Sequence, residues 1–207
     1  FDWRLPIEQE ADRLAKNLQQ EFEEAKAHGH PIRILAHSMG GLVARTMIAR
    51  HNALWREVCA QPGARLVMLG TPNGGSHAIT ELLIGRSSLM SKLALLDVTH
   101  SKDKLNEIVN KFPGVLSMLP VDPREDYFSS DTWKQYAKYS QGRWSAPGSE
   151  GLAKARSFRT ILDQSPLDPS WAIYVAGFAT ATPAGMRIHP DKIDSKRSDA
   201  IEFLGTN

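Results

Sequence analysis

Apolar residues along this chain change their spacing, and each change marks out an element. From Glu8 to about Ala27 they recur at helical intervals. Ala11, Leu14, Ala15, Leu18 and Phe22 form one stripe, with Glu8, Glu10, Lys16, Glu23 and Lys26 on the remaining surface. His28-Gly29-His30-Pro31 closes that helix, Gly standing at a stop position and Pro barring continuation. Phe1–Pro6 ahead of it is expected to be the end of a strand and a loop. Ile32, Ile34 and Leu35 then make a short apolar run, the size of a buried strand. Leu42, Val43, Met47 and Ile48 return to helix-like spacing, and His51–Ala60, with Leu54, Trp55 and Val58, adds a further helical turn or two. After the turn Gln61-Pro62-Gly63 comes a second apolar strand, Ala64–Leu69. Helix, strand, helix, strand with helix-length connections predicts a parallel sheet covered on both faces.

From His77 to about Pro166 the pattern is different. Ile79, Leu82, Leu83, Leu89, Met90, Leu93, Leu95 and Leu96 are densely apolar, and Leu105, Ile108, Val109 and Phe112 make a second amphipathic segment. Prolines 113, 120, 123 and 147 break up the rest, around an aromatic stretch from Tyr127 to Trp144. A helix over Leu152–Leu162 is expected to bring the chain back. So long an excursion between two strands predicts a largely helical lid or cap. Most of its apolar residues would fill a local core, and a surplus facing a cleft would mark an apolar substrate. Trp171–Phe178 is the third strand, Thr180–Pro183 and Gly185 turn the chain, Asp191–Asp199 is a charged loop, and Ala200–Leu204 is a short strand. The expected division is 1–76 for the first part of the core, 77–166 for the lid, and 167–207 for the return to the core.

Composition narrows the field without deciding it. The 207 residues are 42% hydrophobic, enough for one sizeable core with an insertion. A net charge of +2 implies no nucleic-acid or anionic-membrane partner. The one cysteine, Cys59, rules out an internal disulfide framework and weakly favours a cytoplasmic setting. No apolar run approaches the ~20 residues of a membrane span, and no signal-type leader opens the chain. It begins on Phe1-Asp2-Trp3-Arg4 without a Met, as a piece of a longer polypeptide would.

The chemistry concentrates in Ala36-His37-Ser38-Met39-Gly40-Gly41, between a strand and a helix. A serine on a cramped strand-to-helix turn needs small residues two positions either side, here Ala36 and Gly40, while Gly41 lets the helix pack close to the strand. Ser38 would be the nucleophile, and the Met39 backbone N–H, at a helix start, a donor to developing negative charge. The competing role for Ser38 is a helix cap with no chemistry. The loop Gly70-Thr71-Pro72-Asn73-Gly74-Gly75-Ser76 lacks the Lys-Ser/Thr of a P-loop and is expected to border the serine site at the carboxyl end of its strand. His37, Thr71, Asn73 and His77 are the candidate substrate contacts. His37 cannot be the base, because strand neighbours point to opposite faces. His28 and His30 are exposed turn residues rather than metal ligands. His77 is a weaker candidate for the base, and so is His189, for which only acids that precede it, Asp163 or Asp168 and not Asp194 or Asp199, keep the usual order.

Taken together, Asp2-Trp3-Arg4, the turn around Ser38, the Gly70–Ser76 loop, Val175-Ala176-Gly177 and Thr182-Pro183 resemble the α/β-hydrolase superfamily. The closer likeness is to the lipase-type branch around lecithin:cholesterol acyltransferase and related bacterial enzymes. The resemblance implies a parallel-sheet α/β-hydrolase core, incomplete at both ends, with a helical lid. It implies hydrolysis of carboxylic, lipid-like esters through an acyl-enzyme on Ser38, with acyl transfer or a catalytically silent interaction module as alternatives. It implies an acid and a histidine beyond Asn207 and an oxyanion loop ahead of Phe1, so that this piece alone turns over p-nitrophenyl esters poorly. No metal or organic cofactor is implied. The partners are an ester substrate, the remainder of the parent polypeptide and, through the lid, a lipid surface.

Overall fold

In the computed structural model, which describes residues 1–97, 99–177, 179, 181–195 and 200–205, the chain divides into two units. Unit 1 comprises Phe1–Asn73 and Ser157–Phe178; unit 2 comprises Gly74–Arg156 and Ala179–Asn207.

Unit 1 opens on a turn, not the end of a strand: Asp2 accepts from the Arg4 guanidinium and the Leu5 N–H bonds to Asp2 O. Helix α1 (Ile7–Ala27) buries Ile7, Ala11, Ala15, Leu18 and Phe22. Glu10, expected on the surface, is buried too. It lies on the same stripe, one turn from Ile7, and Arg13 covers it through a 3.0 Å ion pair. Strand β1 (Arg33–His37), helix α2 (Met39–Arg50), helix α3 (Asn52–Cys59), strand β2 (Arg65–Leu69) and strand β3 (Ala172–Val175) complete the unit with the second half of helix α9 (Ser149–Asp163). The strands are parallel in the order β1-β2-β3, with Leu35 beside Val67 and Val67 beside Ile173. Mixed helix and strand around a small parallel sheet make an α/β fold.

The two faces of that sheet differ. Ala36, Leu66 and Met68 are buried on one, toward which α2 packs with α1 against it. On the other, water reaches Leu35 (72% exposed), Ile173 (48%) and Val175 (49%). The expectation of a strand buried on both faces fails at Leu35. At the far end of the sheet Trp55 and Trp171 meet edge to face at 5.3 Å and, with Cys59, line a cavity of about 280 Å³.

Unit 2 is helical: α4 (His77–Leu83), α5 (Ser88–Leu96), α6 (Lys102–Val109), α7 (Pro113–Leu116), α8 (Ser130–Ala137) and the first half of α9. Ser76, Ser101 and Ser129 cap α4, α6 and α8 through their side chains. The aromatic stretch is its core: Tyr127, Trp133, Tyr136, Tyr139 and Trp144 are all buried with Leu83, Met90, Leu116 and Leu152. Leu95 and Leu96, at the end of α5, are exposed instead. Residues after 178, expected to return to the core sheet, instead form the antiparallel strands β4 (Pro183–Ile188) and β5 (Ile201–Gly205), joined through a 3₁₀ turn at Pro190–Ser195. Met186 and Ile201 of that hairpin are buried in the unit 2 core. No helix among the described residues is long and apolar enough to cross a membrane.

Candidate active site

β1 ends and α2 begins with one residue between them, and that residue is Ser38. Its backbone is held at φ 52°, ψ −129°. Among the described residues only Gln141 shares a positive φ without being glycine. A side chain in this region costs roughly 1–3 kcal/mol and persists only where the surroundings enforce it. Here they do: the Ser38 N–H donates to Leu69 O at 2.9 Å, and Ser38 O accepts from the Gly41 N–H at 3.0 Å. Ser38 is half-buried, and its side chain makes no cap bond to the helix that follows. Ala36 is buried two residues before it.

The glycine that packing demands here is Gly41. A Cβ on Gly40 would only touch the Phe1 ring at 3.7 Å, an ordinary contact. A Cβ on Gly41 would overlap the Thr71 hydroxyl and lie 2.7 Å from its methyl carbon. The helix therefore closes on the loop after β2, where a close approach to a strand was expected. Thr71 is buried by that contact, and its Oγ1 has no hydrogen-bond partner. The same loop is tied to β3, since Gly70 N–H donates to Val175 O at 2.9 Å and Tyr174 Oη to Thr71 O at 3.0 Å. Asn73 follows, half-buried, its N–H on Thr71 O at 2.8 Å. Arg45 Nη1 donates to Asn73 Oδ1 at 2.8 Å and Arg45 Nη2 to Leu162 O at 3.0 Å. Arg159 Nη2 donates to Asn73 O.

The histidines take separate places. His37 is exposed at the end of β1. His77 belongs to unit 2, where its Nε2 lies 3.3 Å from Asp122 Oδ2 and its ring meets Tyr127 edge to face at 5.6 Å. Its Nδ1 is buried without a partner, and burial, outweighing the pull of Asp122, holds the imidazole below its ordinary pKa. Asp122 is itself gripped by Arg124 through bonds of 2.9 and 2.7 Å, which keeps it below the usual carboxylate range. His189 accepts from the Asp191 N–H at 3.2 Å, with the Asp191 carboxylate 3.8 Å away. Asp163 and Asp168 belong to unit 1, and Asp168 accepts from Ser170 N–H. Asp199 and the side chain of Asp194 lie outside the described residues. His28 and His30 are exposed with stacked rings.

A family model, lecithin:cholesterol acyltransferase, matches residues 1–146, most of the chain. The chain belongs to that family. Lecithin:cholesterol acyltransferase relatives are lipid-modifying acyltransferases and hydrolases, so an enzymatic role on lipid acyl groups follows for the family to which the Ser38 turn and the Gly70–Ser76 loop belong. No curated protein and no solved structure matches the chain. Three residues, two that hold Asn73 and one beside His77, carry little signal in the sequence. Arg45 and Arg159 look like ordinary surface cations of two helices, and only tertiary structure turns both onto Asn73. Asp122 had one usable signal: Asp-Pro-Arg favours a turn in which the acid accepts from the Arg124 N–H, here at 2.9 Å.

Proposed function

We propose that Ser38 is an acyl-accepting nucleophile and that the chain acts on carboxylic esters of lipid-like molecules. The observation that supports this most is the backbone of Ser38. A helix cap gains nothing from a left-handed φ, and this side chain caps nothing, whereas a nucleophile gains a hydroxyl held clear of strand and helix alike. In the reaction, Ser38 Oγ bonds to the ester carbonyl carbon while its proton passes to a general base. The tetrahedral oxyanion draws on the Met39 N–H at the start of α2, where helix N–H groups lack partners within the helix. The carbon–oxygen bond to the alcohol then breaks, and the base returns its proton to the leaving oxygen. Water repeats the sequence on the acyl-enzyme and releases the acid.

Transfer to a second hydroxyl in place of water is favoured by the family to which the chain belongs. A lipid-like substrate, and contact with a lipid surface, are supported by Leu95 and Leu96, which α5 leaves 83% and 80% exposed. The test is labelling of the full-length protein with a fluorophosphonate. Ser38 is expected to carry the label, and Ser38→Ala to lose it with its melting temperature unchanged. An unlabelled Ser38 in the folded full-length protein would identify a silent interaction module. Adding a long-chain alcohol and analysing products then separates ester formation from free acid release.

A further inference from the structure

One residue of the loop after β2 is gripped twice, and by charges. Asn73 receives Arg45 on its side-chain oxygen at 2.8 Å and Arg159 on its main-chain oxygen. Arg45 comes from α2 and Arg159 from α9. Arg159 is 4% exposed and Arg45 is half-buried. Arg45 Nε, Arg159 Nε and Arg159 Nη1 are buried without hydrogen-bond partners, and neither arginine makes an ion pair among the described residues. Asp163 acts on both only through space, and burial draws both guanidinium groups below their ordinary range.

Removing two cations from water without a counter-ion is costly, so mere packing is a poor account of the arrangement. An aspartate at position 73 would hold the same loop better, placing a carboxylate directly on Arg45. Asparagine leaves the charges unneutralised but supplies an N–H₂ group that aspartate lacks. Its sense is fixed by chemistry: a guanidinium only donates, so Oδ1 must face Arg45 and Nδ2 must face away. Nδ2 makes no hydrogen bond among the described residues, and it is not among their buried unpartnered atoms, so solvent reaches it. Asn73 also stands on the same rim of the sheet as Ser38, whose N–H bonds to Leu69 O four residues earlier.

We infer that the Asn73 amide is a pre-set hydrogen-bond donor to a neutral oxygen of the substrate's ester, and that Arg45 and Arg159 are the positioning residues that aim it. The nature of that ligand rests on the reading of Ser38 above. The pairing of donor and arginines also explains why polar atoms are left unmatched beside this loop, since the arginines set a direction and not a maximum of stability.

The test uses a neutral ketone analogue of an octanoyl ester, 3-decanone, which can accept a hydrogen bond but cannot be cleaved. Asn73→Asp keeps the shape, removes the donors and gives Arg45 a counter-ion. It is expected to melt no lower than the parent chain and to bind the ketone about tenfold more weakly, as the loss of one good hydrogen bond requires. Ketone affinity unchanged in Asn73→Asp would overturn the inference, and so would a parent chain that fails to bind the ketone. Arg45→Met is expected to weaken binding as well, and Arg45→Lys to recover part of it at the same melting temperature. Recovery that only tracks melting temperature would remove the positioning role. Fluorophosphonate labelling of the same variants in the full-length protein keeps the two proposals apart. Ketone binding that depends on Asn73 while Ser38 stays unlabelled would leave the donor standing and sink the nucleophile.

Discussion

In unit 2 the buried polar side chains mostly come with their partners. Trp133 Nε1 donates to Tyr127 O at 2.7 Å, Tyr136 Oη to Met186 O at 2.7 Å, and Asn106 Nδ2 to Leu82 O and Leu83 O at 3.1 and 2.9 Å. The exceptions there among the described residues are His77 Nδ1 and Asn110 Oδ1. Unit 1 is the reverse around one loop. Arg45, Thr71 and Arg159 leave buried atoms unmatched on or against the loop that follows β2, and Trp55 Nε1 is a further orphan at the other end of the sheet. A buried polar atom without a partner costs about 1–3 kcal/mol, so the two units sustain different kinds of order. Unit 2 is arranged to be stable. Unit 1 gives up some stability at the rim where Ser38 and Asn73 stand, as the ligand site proposed there would.

That contrast can be broken most forcefully in unit 2. Trp133 is fully buried at the centre of the aromatic core, and Trp133→Ala is expected to lower the free energy of unfolding by about 3–5 kcal/mol in a denaturant titration. A much smaller loss would mean that the aromatic packing is loose and the comparison mistaken. Gly41→Ala comes next. The added methyl collides with Thr71, so a loss of roughly 1–3 kcal/mol is expected, together with loss of fluorophosphonate labelling as the Ser38 turn is pushed out of shape. A stable, labelled Gly41→Ala would show that the α2–loop approach is slack.

The smallest effect expected is a dependence on pH. Burial holds His77 below its ordinary value of 6.5, so just under that pH the unfolded chain takes up a proton that the folded chain refuses. Stability is therefore full above about pH 6.5 and falls as the pH drops toward the depressed folded value. Asp122, Arg124 and Tyr127 face the ring, and burial pushes the Tyr127 phenol up to about 12, leaving it neutral throughout this range. Melting temperatures measured from about pH 8 to about pH 5 should show a decline that His77→Gln flattens.

Much of this architecture could be read from residue order because its signals are local. The stripe on α1 and the Gly-Pro stop after it, the small residues around Ser38 and the apolar runs of β1, β2 and β3 each declare themselves within a short window. What stayed hidden depends on neighbours distant in sequence. Leu35 is indistinguishable from a core leucine until the uncovered face of β1 is known. β4, with Pro183, Gly185 and Arg187 scattered through it, has no strand-like run, and it forms by pairing with β5 and burying Met186 against Tyr127 and Tyr136. Of the candidate site, the serine and its loop were legible, whereas the arginine grip on Asn73 joins residues 28 and 86 positions apart and leaves no local mark.

The row of Leu35, Val67 and Ile173 across the open side of the parallel sheet has one more implication. Side chains that water already touches contribute little by being apolar, so the cohesion of these three strands comes almost wholly from the side where Ala36, Leu66 and Met68 are shut in. Such a sheet resembles a shelf bracketed to a single wall. Within this chain a substitution on the exposed surface is thermodynamically cheap, while the same change on the bracketed side is costly. Over generations the two surfaces of one sheet should therefore diverge at different speeds.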